Sequence, residues 1–430
     1  MNDARPPNAG PATPQQAVHI AARIGRLLLA NGTGTAGTQR RVARIMLALG
    51  HEARVLVTLE ALIIAYSADG RMETRLGHAI HGIGVDMGRL TTLKRIDDGV
   101  CSGALSLDEA NARLDALEAG GGGHAGWLVV LGVAVTAASL ARLFGASWAV
   151  MGVAFVAGVV STVLRRALAA RHANPFGGAF AMALISGLAG AMAIRLVPGA
   201  SPVLCLTAAG MILVPGVPLI NGVRDIVDGH LGNGVARLAF GIATVLTLGF
   251  ALFLAAALAG DTLPVEQAGR LLPIAQDIVF SATAAAGFAM LFNVPFRAVG
   301  YCVLCGVASH SLRTALAHLG LDLASGSLIG AAVAGVIAVL AARAHQVPPV
   351  TFAFPGTVAM IPGAFGFRAG IGALHIMAQG AAAPPTLVAG TLSLAISTAI
   401  MTVAIGIGLS LALAVLPNPV STPISTPVSR

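Results

Sequence analysis

Charged residues are scarce in this chain of 430 residues, and their scarcity excludes a soluble enzyme for most of the sequence. Only 10% of the residues are Asp, Glu, Lys or Arg, whereas 56% are hydrophobic, and the mean hydropathy is +0.84. A soluble domain carries roughly 25% charged residues. The available polar groups could not cover a globule of this size, so a membrane protein is predicted.

Cysteines and aromatic residues are also few. Four cysteines are too few for a disulfide scaffold, and Cys302 and Cys305 lie in an apolar stretch without a second pair, which favours packing over metal binding. The net charge is +8, but the arginines are scattered and no nucleic-acid motif accompanies them. No phosphate-binding loop with Lys-Ser/Thr and no metal-ligand spacing is present, so neither nucleic acid nor a cofactor or metal is expected.

Glycine, in contrast, is abundant, with 53 residues. Small residues let helix backbones approach closely in lipid, where the hydrophobic effect does not drive helices together. Close helix packing is therefore expected, and it would make a homo-oligomer easy to form.

The charges divide the chain into two parts. Residues 1–126 hold 25 of the 44 charged residues, and a glycine run, Gly120 to Gly123, precedes the first long apolar segment. The sequence predicts a mainly α membrane protein with an N-terminal cytoplasmic α+β domain. The predicted parts are a disordered N-terminus (1–15), the α+β domain (16–119), a Gly-rich linker (120–126), two membrane repeats (127–260 and 261–415) and a disordered tail (416–430).

Periodicity and capping signals predict the elements of the first domain. Ser106 followed by Glu109 forms the capping box of a helix. Helical spacing and short β-branched runs predict helices at Gln16–Ala30, Thr38–Leu49 and Ala79–Asp98, and strands at Arg54–Thr58, Leu62–Ser67 and Met72–Leu76.

Apolar runs long enough to cross a bilayer follow the linker. About 20 helical residues span ~30 Å of hydrocarbon. Ten such runs are predicted, near residues 127–145, 147–164, 177–197, 202–220, 235–259, 273–292, 296–318, 325–343, 350–367 and 385–415. With the first domain in the cytoplasm, seven arginines fall in inner loops and five in outer loops, and the 13 basic residues of the first domain add to this bias. The positive-inside rule therefore favours a cytoplasmic N-terminus.

The ten predicted helices divide into two similar sets of five. Helix four contains Pro215-Gly216 followed by Arg224, and helix nine contains Pro362-Gly363 followed by Arg368. Five is an odd number, so the second set would enter the membrane from the opposite side as an inverted repeat. Proline and glycine interrupt helices, and paired interruptions in two halves indicate a transporter's binding site.

Three stretches of the membrane part resemble the threonine/serine exporter family of bacterial inner-membrane proteins: 214–237, 292–297 and 358–368. In the first domain, Thr38-Gln-Arg40 is similar to another motif of that family, although Gly37 stands where the family has Glu. The resemblance covers roughly residues 16–415. It implies a secondary transporter of the inner membrane that exports threonine, serine or similar small amino acids. A two-chain branch of the same family is associated with export of dicarboxylates such as succinate.

Acidic residues inside a membrane are costly and therefore candidates for function. Asp225 and Asp228 follow the interrupted helix four beside Arg224, and Asp277 lies one turn into helix six. Arg224 and Asp225 could instead form an ion pair that fixes the end of helix four, and Asp277 could be a structural partner of an arginine. The functional hypothesis assigns coupling to protons or gating to Arg224, Asp225, Asp228, Asp277 and Arg368.

An exported amino acid needs partners for both a carboxylate and an ammonium group. Free N–H groups and carbonyls at the ends of half-helices supply both. We therefore predict a substrate site at the breaks, formed by Pro215, Gly216, Pro362 and Gly363, with the amides of Asn221 and Asn293 orienting a hydroxyl group.

Three alternatives remain open at this point. The first is dicarboxylate export, which should require more arginines near the middle of the membrane. The second is an intramembrane enzyme, although no Ser-His-Asp constellation supports one. The third is a scaffold protein, for which Asp225→Asn would leave substrate flux unchanged.

Overall fold

The computed structural model describes residues 12–68, 70–77, 84–120, 122–169, 174–196, 210–260 and 271–415. Within these ranges the protein is mainly helical, with one small antiparallel sheet. The tail predicted to be disordered (416–430) and residues 1–11 lie outside the described residues. Residues 14 and 15 belong to the first helix, so the predicted N-terminal boundary was two residues too late.

The first part of the chain forms a small α+β unit, which we call the N-terminal module (residues 12–118). Its elements are α1 (Pro14–Ala30), α2 (Thr35–Ala48), β1 (Ala53–Val57), β2 (Leu62–Ala68), β3 (Arg71–Leu76), α3 (Met87–Cys101) and α4 (Leu107–Glu118). The strands form an antiparallel meander in the order β1-β2-β3. Alternate residues of β1 and β2, such as Val57 and Ile64, are buried on one face, whereas β3 is exposed throughout.

Side-chain caps set several helix starts in the module. The predicted capping box of Ser106 and Glu109 is confirmed at the start of α4, where each partner bonds the backbone of the other. Thr13 and Gln16 form a second capping box at α1, which the sequence analysis missed.

Two predicted helix starts in the module were wrong. The helix expected from Ala79 begins at Met87, because Asp86 is extended and its carboxylate caps the backbone N–H of Arg89; residues 78–83 lie outside the described part. The helix expected from Thr38 begins at Thr35, directly after Gly34.

Long helices follow the module. They are α5 (Gly126–Leu143), α6 (Trp148–Ala169), α7 (Pro175–Leu196), α8 (Gly216–Val227), α9 (Leu231–Ala259), α10 (Ile274–Leu291), α11 (Phe296–His318), α12 (Leu323–His345), α13 (Val350–Thr357), α14 (Gly363–Gln379) and α15 (Pro385–Val415). Short 3-10 turns at Met211–Leu213 and Val358–Met360 precede α8 and α14.

Seven of these helices are long and apolar enough to cross a membrane, namely α5, α6, α7, α9, α10, α12 and α15. The pair α13 and α14, bent by 44° at its break, makes an eighth candidate span. The predicted span at 296–318 exists as helix α11, but its polar residues leave it outside this group. The predicted span at 202–220 lies partly outside the described residues. The predicted count of ten spans therefore stays a prediction.

Glycines bring the first helix of each predicted repeat into backbone contact. A Cβ at Gly287 of α10 would lie 2.0 Å from Thr136 Oγ1 and 2.3 Å from the carbonyl oxygen of Gly132 on α5. Real Cβ atoms cannot approach other atoms so closely. Only glycine therefore permits this packing, as expected for helices associating in lipid.

Candidate functional site

The chain breaks at both predicted Pro-Gly positions, and the two breaks have the same backbone geometry. Pro215 has φ −77° and ψ 66°, and Pro362 has φ −79° and ψ 49°. The N–H of Gly216 donates to the carbonyl of Val214 at 2.8 Å, and the N–H of Gly363 donates to that of Ile361 at 2.8 Å. These are inverse γ-turns, and each connects a 3-10 turn to a new α-helix.

The two breaks also lie against each other. A Cβ on Gly216 would lie 2.6 Å from Ile361 Cδ1, and a Cβ on Gly363 would lie 2.4 Å from Val214 Cγ2. A methyl group at either glycine would therefore clash with the opposite break. The two breaks, which are 147 positions apart in the chain, thus meet at one junction, as expected if paired breaks frame one site.

A cavity of about 10 Å³, which is room for about one water molecule, lies at this junction, and its side chains are apolar. Gly216 and Gly363 line it, with Leu140, Phe144, Met211, Val214, Phe288, Val358, Ala359, Ile361 and Ala364 around them. The polar groups that this cavity can offer to a solute are those of the interrupted backbone. Asn221 and Asn293, predicted to orient the substrate, do not line it.

Asp225 lies at the interface between α8 and the N-terminal module. Its carboxylate accepts hydrogen bonds from the backbone N–H of Thr35 (2.9 Å), from Thr35 Oγ1 (2.8 Å) and from Arg237 Nε (2.9 Å). Both Asp225 and Arg237 are 1% exposed. Gly34 makes room for this contact, because a Cβ there would lie 3.3 Å from the carboxylate. Asp225 thus caps the start of α2 and neutralises a buried arginine.

Asn221 and Asn293 bind the module from the two predicted halves. Asn221 Nδ2 donates to the carbonyl of Gly32 at 3.0 Å. Asn293 has φ 55°, a left-handed conformation that asparagine tolerates, and its Nδ2 donates to both carboxylate oxygens of Asp86 at 3.0 and 3.1 Å. The backbone N–H of Met87 also donates to Phe292 O at 2.8 Å. The module is therefore attached to both halves, and a substrate-orienting role for the two asparagines stays a prediction.

Asp277 is buried between α10 and α11. Its carboxylate accepts from His310 Nδ1 at 2.9 and 3.0 Å, from Ser311 Oγ at 2.9 Å and from Thr314 Oγ1 at 2.6 Å. All three donors belong to one turn of α11. Asp277 is 1% exposed and His310 is 2% exposed.

Arg313 continues this cluster toward the second break. Its NH2 group lies 2.6 Å from His310 Nε2, and its NH1 group donates to the carbonyl of Met360 at 3.4 Å. Arginine can only donate hydrogen bonds, so His310 Nε2 must accept and carries no proton. Nδ1 therefore carries the imidazole proton and donates a hydrogen bond to Asp277. The chain Asp277–His310–Arg313 thus ends at Met360, two residues before Pro362.

The remaining predicted residues lie around the ends of the broken helices. Arg224 donates to Asn221 Oδ1 at 3.2 Å, and Asp228 is exposed at the end of α8. Arg368 is 7% exposed on α14. Of the predicted coupling group, Arg224, Asp225 and Asp228 lie together beside the module, whereas Asp277 belongs to a separate cluster.

The sequence analysis missed His310, Arg313 and Arg237. A signal for the first two was present, because the run from Ser309 to Thr314 contains five polar residues inside an apolar segment, which is unusual in a membrane helix. Arg237 carried no comparable signal, since an arginine near a helix end ordinarily reaches the interface.

Two family models match successive parts of the chain. Residues 19–259 match the family model "Putative threonine/serine exporter", and residues 277–415 match "Threonine/Serine exporter, ThrE". The "Probable threonine/serine exporter" of Mycobacterium tuberculosis is 26% identical over 377 residues, which cover 83% of this chain and 69% of that protein. The "Probable succinate transporter subunit YjjP" of Escherichia coli is 29% identical over 242 residues, which cover 54% of this chain and 91% of that protein.

No solved structure matches the chain. The first family model alone covers more than half of it, and the apolar helices agree with a multi-pass membrane protein. The chain belongs to the threonine/serine exporter family, whose members are transporters and not enzymes.

Proposed function

We propose that this protein is a proton-coupled secondary transporter of the bacterial inner membrane that exports threonine, serine or similar small amino acids. The N-terminal module lies in the cytoplasm, and the ten spans form two inverted repeats of five. Alternating access arises when one half moves against the other about the breaks at Pro215 and Pro362. Gly216 and Gly363 then offer backbone groups to the substrate, as at the interrupted helices of other transporters.

The directions of the broken helices support the inverted repeat. From the first break, α8 runs toward the module and contacts it through Asp225, two residues before the helix ends at Val227. In the second half, α13 begins beside the module and leads away from it to the break. The chain bends by only 44° there, so α14 continues away from the module. Equivalent segments after the two breaks therefore run in opposite senses, as inverted repeats require.

The single observation that carries proton coupling is the chain from Asp277 through His310 to Arg313 and the carbonyl of Met360. Histidine is the side chain that ordinarily changes charge near neutral pH. A proton added to His310 Nε2 would remove the acceptor that Arg313 now uses and place two cations in contact. Arg313 would then leave, and its bond to Met360 beside the second break would be lost. Protonation would thereby bias the hinge.

Two charged side chains contact His310. Asp277 faces it from α10 and Arg313 from its own helix, while α13 and the turn Val358–Met360 contain no ionisable residue. On α12, Gly330 packs against Ser309. Arg343 lies 13 residues further along α12, about 20 Å away at 1.5 Å per residue. The charge state of His310 therefore depends on Asp277 and Arg313.

Transport by inverted membrane vesicles tests this proposal, because export from the cell then appears as uptake. We expect uptake of labelled threonine that serine competes for and that stops when ΔpH and Δψ are collapsed. Vesicles from cells carrying an empty vector provide the control. Threonine uptake that is insensitive to collapse of both gradients would refute proton coupling, and an absence of threonine or serine uptake would refute amino-acid export.

Export of a dicarboxylate is the second candidate, because one relative is named as a succinate transporter subunit. Two negative charges would require two cationic partners in the path. The cavity at the breaks offers backbone N–H groups and carbonyls but no charged side chain. Such groups suit one carboxylate and one ammonium group better than two carboxylates, so we favour the amino acid. Succinate that competes with labelled threonine better than serine does would reverse this choice.

A further inference from the structure

A pocket lies at the other end of the broken helices, where the N-terminal module meets both halves of the membrane part. Its volume is about 140 Å³, and a water molecule requires roughly 10–15 Å³ measured in this way. The pocket therefore has room for a solute of the size of threonine. Arg40 and Arg41 line it from the module, Arg224 and Asp228 from α8, and Pro349 from the start of α13.

Two of its arginines, Arg40 and Arg224, form no salt bridge among the described residues. Arg41 is paired with Asp97 at 3.1 Å. Arg224, in contrast, donates only to the neutral amide oxygen of Asn221, and its Nε is buried without an acceptor in the described part of the chain. Arg40 has an exposed side chain and makes no hydrogen bond within that part. Asp228 and Asp225 act on Arg224 electrostatically without forming a salt bridge to it, so both guanidinium groups can still bond directly to an anion.

The acidic residues of the pocket are not equivalent. Asp225 is occupied by Thr35 and Arg237. Asp228 is exposed one turn beyond Arg224 and makes no salt bridge within the described ranges. Asp225 is paired with Arg237, and Arg41 shares Asp97 with Arg44. Arg40, Arg224 and Asp228 are then the charged groups of the pocket without a salt bridge among the described residues. A group of each sign on the solute suits this arrangement, since a second carboxylate would be repelled by Asp228.

The pocket is connected to the breaks by the helices that form it. α8 rises from Gly216 at the first break to Arg224, which is eight residues or about 12 Å at 1.5 Å per residue. α13 begins at Val350 in the pocket and ends at Thr357, shortly before the second break. The same two helices therefore bound the pocket at one end and the cavity between the breaks at the other.

We propose that this pocket binds a free α-amino acid, with the carboxylate between Arg40 and Arg224 and the ammonium group at Asp228, before the solute enters the cavity between the breaks. The proposal rests on the amino-acid export proposed above and adds to it a loading site on the module side. Bidentate hydrogen bonds from arginine to a carboxylate make this recognition specific.

Calorimetric binding to the purified full-length protein tests the pocket. The probes are L-threonine, L-threoninol, which lacks the carboxylate, and 3-hydroxybutyrate, which lacks the ammonium group. We expect Arg40→Gln and Arg224→Gln each to weaken threonine binding about tenfold or more, as loss of one charge-assisted hydrogen bond predicts. Asp228→Asn should weaken binding of threonine but not of 3-hydroxybutyrate. Threoninol should bind less tightly than threonine to the wild-type protein.

Arg71→Gln is the matched control, because Arg71 is an exposed arginine of the module on β3, outside the pocket lining. Arg40 is exposed, so Arg40→Gln should fold normally even if Arg224→Gln does not. Wild-type affinity for threonine in Arg40→Gln would overturn the pocket assignment, and undiminished efflux in the same variant would leave amino-acid export standing. Binding of succinate without binding of threonine would overturn both proposals.

Discussion

Asp225 and Asp277 are both buried carboxylates of the membrane part, but they differ in the donors that surround them. Asp225 is held by an arginine of α9 and by the backbone and hydroxyl of Thr35 in the module. Asp277 is held by a histidine and two hydroxyl groups, all on one turn of α11. One cluster joins two parts of the protein, whereas the other lies within one half.

This difference in donors separates a fixed charge pair from one that can change. Arginine keeps its proton in proteins, so the pair of Asp225 and Arg237 has a constant charge. Histidine can gain or lose a proton, so the charge of the pair of Asp277 and His310 can change. Two acids that look alike in the sequence are therefore expected to have different roles, one holding the module and the other responding to protons.

The largest expected effect is on the fixed pair. Asp225→Asn leaves Arg237 buried without its carboxylate, which should lower the free energy of unfolding by about 3–5 kcal/mol. Thermal unfolding of the purified protein measures this loss. Limited proteolysis should also cut the module faster, because the cap of α2 is weakened.

Two further variants isolate the buried charge as the cause. Asp225→Asn combined with Arg237→Met removes both charges, and we expect it to recover most of the lost stability. Asp228→Asn, at an exposed site of the same helix, should leave the unfolding temperature unchanged. An Asp225→Asn protein as stable as wild type would show that this cluster does not hold the module.

The next effect concerns the contact between the two breaks. Gly363→Ala places a methyl group 2.4 Å from Val214 Cγ2, and such overpacking costs about 1–3 kcal/mol. Thermal unfolding should show this loss, and Val214→Ala in the same protein should restore part of it. Gly370→Ala is the control, because Gly370 lies on the same helix as Gly363 but its Cβ would come no closer than 3.7 Å to Leu246 Cδ2. Equal stability of the two alanine variants would show that the breaks are not in contact.

The switchable pair is tested by the response of transport to pH. One pH unit across the membrane is worth about 1.4 kcal/mol per proton, which can sustain up to about a tenfold concentration gradient of the solute. We expect His310→Gln to abolish the stimulation of threonine flux by ΔpH while exchange of threonine for threonine continues. Flux in proteoliposomes with and without an imposed ΔpH measures both activities.

His318→Gln is the matched control, since His318 lies two turns further along the same helix and bonds the carbonyl of Leu272. It should respond to ΔpH as the wild-type protein does. Full stimulation by ΔpH in His310→Gln would remove His310 from the coupling path.

The smallest expected effect is inside the N-terminal module, away from both clusters. Burial would raise the pKa of Asp98, but hydrogen bonds from Lys94 and Arg44 outweigh burial and hold this pKa below its ordinary value. Because the pKa is lower in the folded state, the stabilisation is present above about pH 3.9 and is lost as the pH falls through the folded-state pKa.

Asp98 is partly exposed, so we expect Asp98→Asn to cost less than about 1 kcal/mol at neutral pH. The difference in unfolding temperature between Asp98→Asn and wild type should shrink as the pH falls below about 4. A difference that stays constant in acid would mean that the carboxylate charge of Asp98 does not stabilise the module.

Local signals in the sequence predicted several features that the structure contains. Pro215 and Pro362 break their helices because proline removes an N–H wherever it lies. Ser106 caps α4 because its side chain reaches only three residues along the chain. The capping of α3 by Asp86 was not predicted, because apolar residues before Asp86 continued the helical pattern and nothing local showed that Asp86 would be extended.

The partners of the buried acids could not be predicted in the same way. The sequence indicated Asp277 as costly to bury, yet His310 is 33 residues away and was one of eleven histidines. Asp225 was placed beside Arg224, its neighbour in sequence, whereas its salt bridge is with Arg237 and its cap is on Thr35, 190 residues earlier. Sequence neighbours need not share a helix face, so the folded geometry chooses the partner.

Composition and local chemistry by themselves determined that this chain enters a membrane, where its helices are interrupted and which of its acids would be costly to bury. These properties follow from the transfer of single residues between water and lipid and from the constraints of proline. Only the tertiary structure decided that the two breaks touch, that the module binds both halves, and that Asp277 meets a histidine whereas Asp225 meets an arginine. Such pairings depend on how distant helices pack, and that is set by the surfaces of many residues together.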